Sequence, residues 1–124
     1  MKTLKEGYQE INVQEIVKGC RDLNVQELMQ LLKMDISIFW SWGAHNFTVD
    51  STKRTRMFRM NVQGNHHKGH VYIFVNGMDL FDVYLTSTSG IIKHPEKDII
   101  KDLYFDQLVE VIDNRIERIP DYVR

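Results

Sequence analysis

The sequence predicts an α+β fold built on an antiparallel sheet, and three observations carry that prediction. Two short segments open with asparagine caps and carry helical spacing. Four stretches then alternate apolar and polar residues between short polar turns. A final segment places apolar residues three and four apart. Helices set apart from strands along the chain indicate α+β. Strands joined by short turns form an antiparallel meander. The expected architecture is a meander of about four strands, two short N-terminal helices and one long C-terminal helix packed on the sheet.

Asn12-Val-Gln-Glu15-Ile recurs as Asn24-Val-Gln-Glu27-Leu. Asn at a helix N-cap with Glu three residues later suits an Asn-type capping box. Two helices are read, over 13–22 and 25–33. The twelve-residue offset makes this an αα pair rather than a repeat array. Ile36, Ile38, Trp40 and Trp42 then alternate, which reads as a strand. Gly43-Ala44 marks a bend or bulge, and His45–Val49 continues the strand.

Asp50-Ser-Thr-Lys53 is a polar turn. Thr55–Gln63 alternates again, with Met57, Arg59 and Asn61 opposite Phe58, Met60 and Val62. After the polar loop Gly64–Gly69, strands near 70–75 and 78–86 flank Asn76-Gly77, a pair suited to a two-residue hairpin turn. Both faces of this hairpin are apolar: Val71, Ile73 and Val75 alternate with Tyr72 and Phe74. The C-terminal helix is expected over one face, and the N-terminal pair over all or part of the other. The last helix is read within 96–118, on Ile100, Leu103, Tyr104, Leu108, Val111, Ile112, Ile116 and Ile119. Asp102 or Asp106 is its expected cap, and Pro120 follows its end.

The 124 residues suit a single α+β domain over 1–124, with disorder expected at 1–10 and 121–124. A net charge of −1 excludes the whole-molecule basic field of a non-specific DNA coater. Cys20 is the lone cysteine, so no internal disulfide forms and a reducing cytoplasm is expected. No long apolar run follows the first lysines, so no signal peptide is read. No stretch has the length and apolarity of a membrane span, and no membrane partner is expected.

The segment Phe39-Trp-Ser-Trp-Gly-Ala-His-Asn-Phe47 resembles a motif of small proteins encoded by bacteriophages and bacterial mobile elements: an apolar run, Gly-Ala, one residue, and Asn-Phe. Alternating arginine and methionine before the hairpin is similar too. The hairpin Val71-x-Ile-x-Val-Asn-Gly-x-Asp-Leu-Phe-Asp-Val83 resembles that family's Val-x-Ile-x-Leu-Asn-Gly-x-Asp-Leu-Tyr-Asp-Val. Asp102–Asp113 resembles its final helix, so the likeness spans residues 28–113. Trp40 and Trp42 are bulkier than the family's residues there. Asn114-Arg-Ile-Glu-Arg118 runs on where its helix often ends in Thr-Gly. The resemblance implies a mobile-element origin and an accessory role in a bacterial cytoplasm. It names no catalytic residue.

From Ser51 to Met78 there is no acidic residue, and Lys53, Arg54, Arg56, Arg59 and Lys68 fall there. Alternation puts Arg54 and Arg56 on one strand face and Arg59 on the other. Such cations beside Trp40 and Trp42 suit single-stranded nucleic acid, by phosphate neutralisation and base stacking. The structural alternative is a solvated sheet face with the tryptophans in the core.

His66, His67 and His70 form a histidine cluster. Adjacent His66 and His67 point apart in an extended chain, so they are weak metal candidates and no metal is expected. Asp79 and Asp82, three apart, lie on opposite faces of a strand, which does not suit paired acid–base work. Asp79 reads as a turn residue. Asp82, if buried, needs a donor such as Arg59 or a backbone amide. Cys20 has no base nearby in sequence. No catalytic residue and no cofactor are expected.

The reading is a non-enzymatic accessory protein that binds an unidentified host or element-encoded protein. The rival is a nucleic-acid-binding module using the basic 53–70 segment. An enzyme with dispersed polar residues ranks last. Phe105 and Val109 lie off the main apolar stripe of the final helix, which makes a homodimer seam a further reading.

Overall fold

The computed structural model describes residues 8–51 and 53–116. Among these residues the elements run β1 (Gln9–Glu10), α1 (Val13–Val17), β2 (Cys20–Arg21), α2 (Val25–Leu32), α3 (Ile36–Ser41), β3 (His45–Val49), β4 (Phe58–Gln63), β5 (Lys68–Asn76), β6 (Phe81–Thr86), β7 (Ile91–Ile92), α4 (Pro95–Asp98), β8 (Ile99–Leu103) and α5 (Phe105–Ile116). The α+β class holds, and the sheet is antiparallel in order β3-β4-β5-β6-β8, with β2 also pairing β5. The element count differs from expectation: eight strands and five helices among the described residues, not about four and three.

Both asparagine caps form. Asn12 Oδ1 accepts from the Glu15 amide at 3.2 Å, and Asn24 Oδ1 from the Glu27 amide at 3.1 Å. α1 is shorter than expected because the chain leaves the helix at Gly19 and pairs with the sheet, Cys20 opposite Asn76 and Arg21 opposite Val75. The Ile36–Trp42 segment is a helix, not a strand. Asp35 Oδ1 accepts from the amides of Ser37 and Ile38 and caps it. Phe39 and Trp42, three apart, are buried, while Trp40 points to solvent. Gly43, with φ +61°, ends this helix in the left-handed conformation, so the expected bend is there.

β4 starts at Phe58, and its faces alternate as expected, with Phe58, Met60 and Val62 in the core. The β5–β6 connection is not a two-residue turn. Asn76 and Leu80 close a three-residue loop, Asn76 N–H to Leu80 O at 2.8 Å, and the positive φ of 64° falls on Asp79. A type I turn followed by a left-handed residue accounts for this loop length.

The expected 96–118 helix is three elements. α4 opens with Pro95, β8 pairs with β6, and α5 follows. Ile99, Ile100 and Leu103 fit helical and strand spacing alike, and the open edge of β6 decides for strand. Asp102 sits at φ +62°, which a helix does not accept. Neither Asp102 nor Asp106 caps α5. Asp102 belongs to β8, Asp106 lies inside the first turn, and Gln107 Oε1 instead accepts the Tyr104 amide at 3.1 Å. Residues 117–118 of the expected helix, Ile119 of its stripe and the Pro120 stop lie outside the described residues, as does the expected disorder at 121–124 and 1–7. Gln9 and Glu10 pair with Ile92 and Ile91.

The sheet divides two apolar layers. The larger joins Leu28 and Leu32 of α2, Phe39 and Trp42 of α3, and Leu108, Ile112 and Ile116 of α5 to Met60, Ile73, Val83 and their neighbours. The smaller joins Val17 of α1, Met57, Tyr72, Phe74, Tyr84 and Ile92. The N-terminal helices are therefore split: α1 covers the face opposite α5, and α2 shares α5's face. No helix among the described residues is long and apolar enough to cross a membrane.

Candidate functional site

Asp82 is buried on β6 and satisfied by short bonds. Its Oδ1 accepts from Asn76 Nδ2 at 2.9 Å and from the Asp102 amide at 3.0 Å. Asn76 Nδ2 also donates to Asp102 Oδ1 at 2.8 Å, and Asn76 Oδ1 accepts from the Met78 and Leu80 amides. The donors are thus a backbone amide and Asn76, not Arg59. This network locks the β5–β6 loop to β8, and it aims no free carboxylate at a cavity. Asp79 serves the turn through its left-handed backbone.

The basic segment is dispersed. Arg54 pairs with Asp22 at 2.7 Å on the surface. Arg56 donates to the Val17 carbonyl at 3.3 Å and so braces α1. Arg59 Nη2 reaches Thr48 Oγ1 at 3.4 Å, on the sheet face that α1 covers. Lys53 and Lys68 are exposed. Residues 53–57 are not strand, so the expected alternation of Arg54 and Arg56 against Arg59 does not apply; Arg56 and Arg59 both serve the α1 side. The two tryptophans part company as well. Trp42 is fully buried and Trp40 is 72% exposed.

His66, His67 and Lys68 line a cavity of about 210 Å³ with Lys93, His94 and Arg115. Asp98 there is held by Arg115 at 2.5 Å. Burial holds the His67 imidazole below the ordinary histidine range. Among the described residues no group of three or more His, Cys, Asp or Glu side chains is arranged to hold a metal ion. Cys20 Sγ donates to the Ile16 carbonyl, and burial, then the Asp82 charge, pushes its thiol up, opposite to what a nucleophile needs.

Two larger recesses remain. One, of about 520 Å³, opens between α2, the β5–β6 loop and the start of α5. Its floor is Leu28, Leu31, Val75 and Phe81, its mouth is Tyr104 and Phe105, and its rim carries Asp22, Glu27 and Asp79. No lysine or arginine lines it. The other, of about 590 Å³, lies across the sheet between α1, β4, β5 and the turn at 88–90.

No family model, curated protein or solved structure matches the chain.

Sequence reasoning did not find the apolar groove. Spacing puts Tyr104 in the core stripe and Phe105 in a dimer seam, yet both are well exposed and line the same recess. The readable signal was Asp102-Leu-Tyr-Phe-Asp106, two adjacent aromatics between acids, which one helix face cannot bury together.

Proposed function

We propose that this chain is a non-enzymatic accessory protein of a phage or integrated element, working in a bacterial cytoplasm by binding another protein. The contact surface is the groove between α2, the β5–β6 loop and the start of α5. One observation carries this reading: Tyr104 and Phe105 are 59% and 65% exposed beside an apolar floor. Exposed aromatics gathered at a recess mark interaction sites, whereas scattered ones are ordinary. Burying one large apolar side chain at an interface is worth roughly 1.5–3 kcal/mol.

The rim sets the partner's chemistry. Glu27 and Asp79 stand at the rim with no ion pair among the described residues, while Asp22 beside them is already paired with Arg54. The complementary occupant is a lysine- or arginine-rich protein segment presenting one or two large apolar side chains. Such a segment places its apolar anchors on Leu28 and Phe81 and its cations against the rim.

The test is affinity capture from host lysate with and without nuclease, run beside the double variant Tyr104→Ala, Phe105→Ala. A protein retained after nuclease by the parent chain, weakened by salt and lost from the double variant supports the reading. Capture that the variant leaves unchanged overturns it. Recovery that vanishes with nuclease transfers the reading to nucleic acid and to Lys53, Arg54, Arg56, Arg59 and Lys68. Self-association that the double variant abolishes makes the occupant a second copy and overturns the hetero-partner reading.

A further inference from the structure

We propose that the recess on the opposite face of the sheet, between α1, β4, β5 and the turn at 88–90, is a binding site for a small organic oxyanion, a phosphate ester or carboxylate with an apolar body. It is separate from the protein-docking groove and does not depend on it.

The register builds the site. Arg59 on β4 is opposite Tyr72 on β5, and Asn61 is opposite His70. Residues two apart on β5 share a face, so Arg59, His70 and Tyr72 converge on one patch of sheet. All three line the recess. Arg59 Nε and His70 Nδ1 are both buried there without a hydrogen-bond partner. Native domains hold few such atoms, and each one calls for a physical reason.

Arg59 carries a permanent charge. Its one hydrogen bond in hand is the 3.4 Å contact with the Thr48 hydroxyl, and no carboxylate lies within ion-pair distance among the described residues. Glu10 lines the outer wall but makes no ion pair with it. The guanidinium is thus half-buried and uncompensated on a sheet face otherwise used for packing. Burial, and after it the neighbouring Arg59 and His67 charges, holds His70 below the ordinary histidine range. An anion supplies the missing counter-charge, and the guanidinium fork matches an oxyanion in geometry.

The volume decides between a bare ion and a larger ligand. About 590 Å³ far exceeds what one oxyanion fills. Ile11 and Val13 contribute apolar wall, and the Tyr72 ring meets His70 edge-on at 6.0 Å. Ser89 and Thr88 also line the recess. That combination fits an anionic head near Arg59 and an apolar body against Ile11 and Val13.

The experiment is a side-chain NMR titration of the full chain with phenyl phosphate, benzoate and neutral benzyl alcohol, following the histidine Cε1–H and arginine Nε–H signals. Saturable shifts at His70 and Arg59 with one or both anions, and none with benzyl alcohol, are expected. Arg59→Gln should weaken that binding at least tenfold, and His70→Gln several-fold, while Arg54→Gln leaves it unchanged. Response to phenyl phosphate alone assigns a phosphate ester, and to benzoate alone a carboxylate. Shifts of equal size at Arg54 and His66, failure to saturate, or no response to either anion overturns the proposal. Circular dichroism of each variant separates lost binding from lost folding, and His70→Gln keeps the test open if Arg59→Gln does not fold.

Discussion

The indole of Trp42 donates its Nε1–H to Asp113 Oδ1 at 3.0 Å, across 71 residues of chain and wholly inside the core. The bond fixes the end of α3 against α5, at the point where the two helices meet over the sheet. Phe39 packs on the same indole with ring centroids 5.7 Å apart. Trp42→Phe keeps most of the packing and removes the donor, which takes one partner from a buried carboxylate. The expected cost is about 1–3 kcal/mol, read as a lower urea midpoint at unchanged slope.

Gly64 is required by space rather than by conformation. A Cβ placed there would stand 2.2 Å from Ile116 Cγ2 and 2.4 Å from the Ile116 carbonyl oxygen. The same loop is tied to α5 through the His66 amide, which donates to Ile116 O at 2.7 Å. Gly64→Ala should therefore push the end of α5 off the sheet and cost about 1–3 kcal/mol. Thermal unfolding, with amide exchange at His66, measures both effects. Gly19→Ala is the contrasting control, because its nearest atom is 4.0 Å away.

Asn76 is the hub of the β5–β6 loop. Asn76→Ala removes two bonds that hold the loop amides and two that reach Asp82 and Asp102. The expected loss is roughly 2–4 kcal/mol, since a buried acceptor is left short of donors. Asn76→Asp should be at least as harmful near neutral pH, because it sets a third carboxylate against two others. Chemical denaturation of both variants at pH 7 tests the ranking.

Two histidines make stability depend on pH. His67 and His70 are held below the ordinary value of 6.5, chiefly by burial. Below about pH 6.5 the unfolded chain takes up protons that the folded chain refuses. Stability therefore rises with pH through that window and falls as the pH drops below it. Melting temperatures between pH 5 and 8 should show the slope, and the double variant His67→Gln, His70→Gln should flatten it. A slope unchanged in the variant would assign it to other groups.

The sequence was most legible where a local bond decides the structure. Asn12 and Asn24 cap their helices through their own side chains, and a cap can be read from three neighbouring residues. It was least legible where two periods fit the same residues. Ile36, Ile38, Trp40 and Trp42 alternate like a strand, but Phe39 and Trp42 also lie three apart, and the Asp35 cap settles the matter. Ile99–Leu103 fits a helix by spacing; only the free edge of β6, distant in sequence, turns it into a strand. A buried Asp82 needs a donor on any reading of the sequence, yet its partners lie six and twenty residues away. The recess at Arg59 and His70 depends on the pairing of β4 with β5, which the hairpin pattern suggested without showing what would cover that face.

Each outer strand of the five-strand path holds one extra residue. On β3 the register slips between His45 and Thr48, with Asn46 at φ +53°; on β8 it slips opposite Phe81–Val83, with Asp102 at φ +62°. A strand interrupted this way offers no long flat row of amides and carbonyls to another chain. Both bulges therefore work against edge-to-edge fusion of sheets from neighbouring molecules. Straightening Asn46 by a β-branched replacement would remove that safeguard on one side.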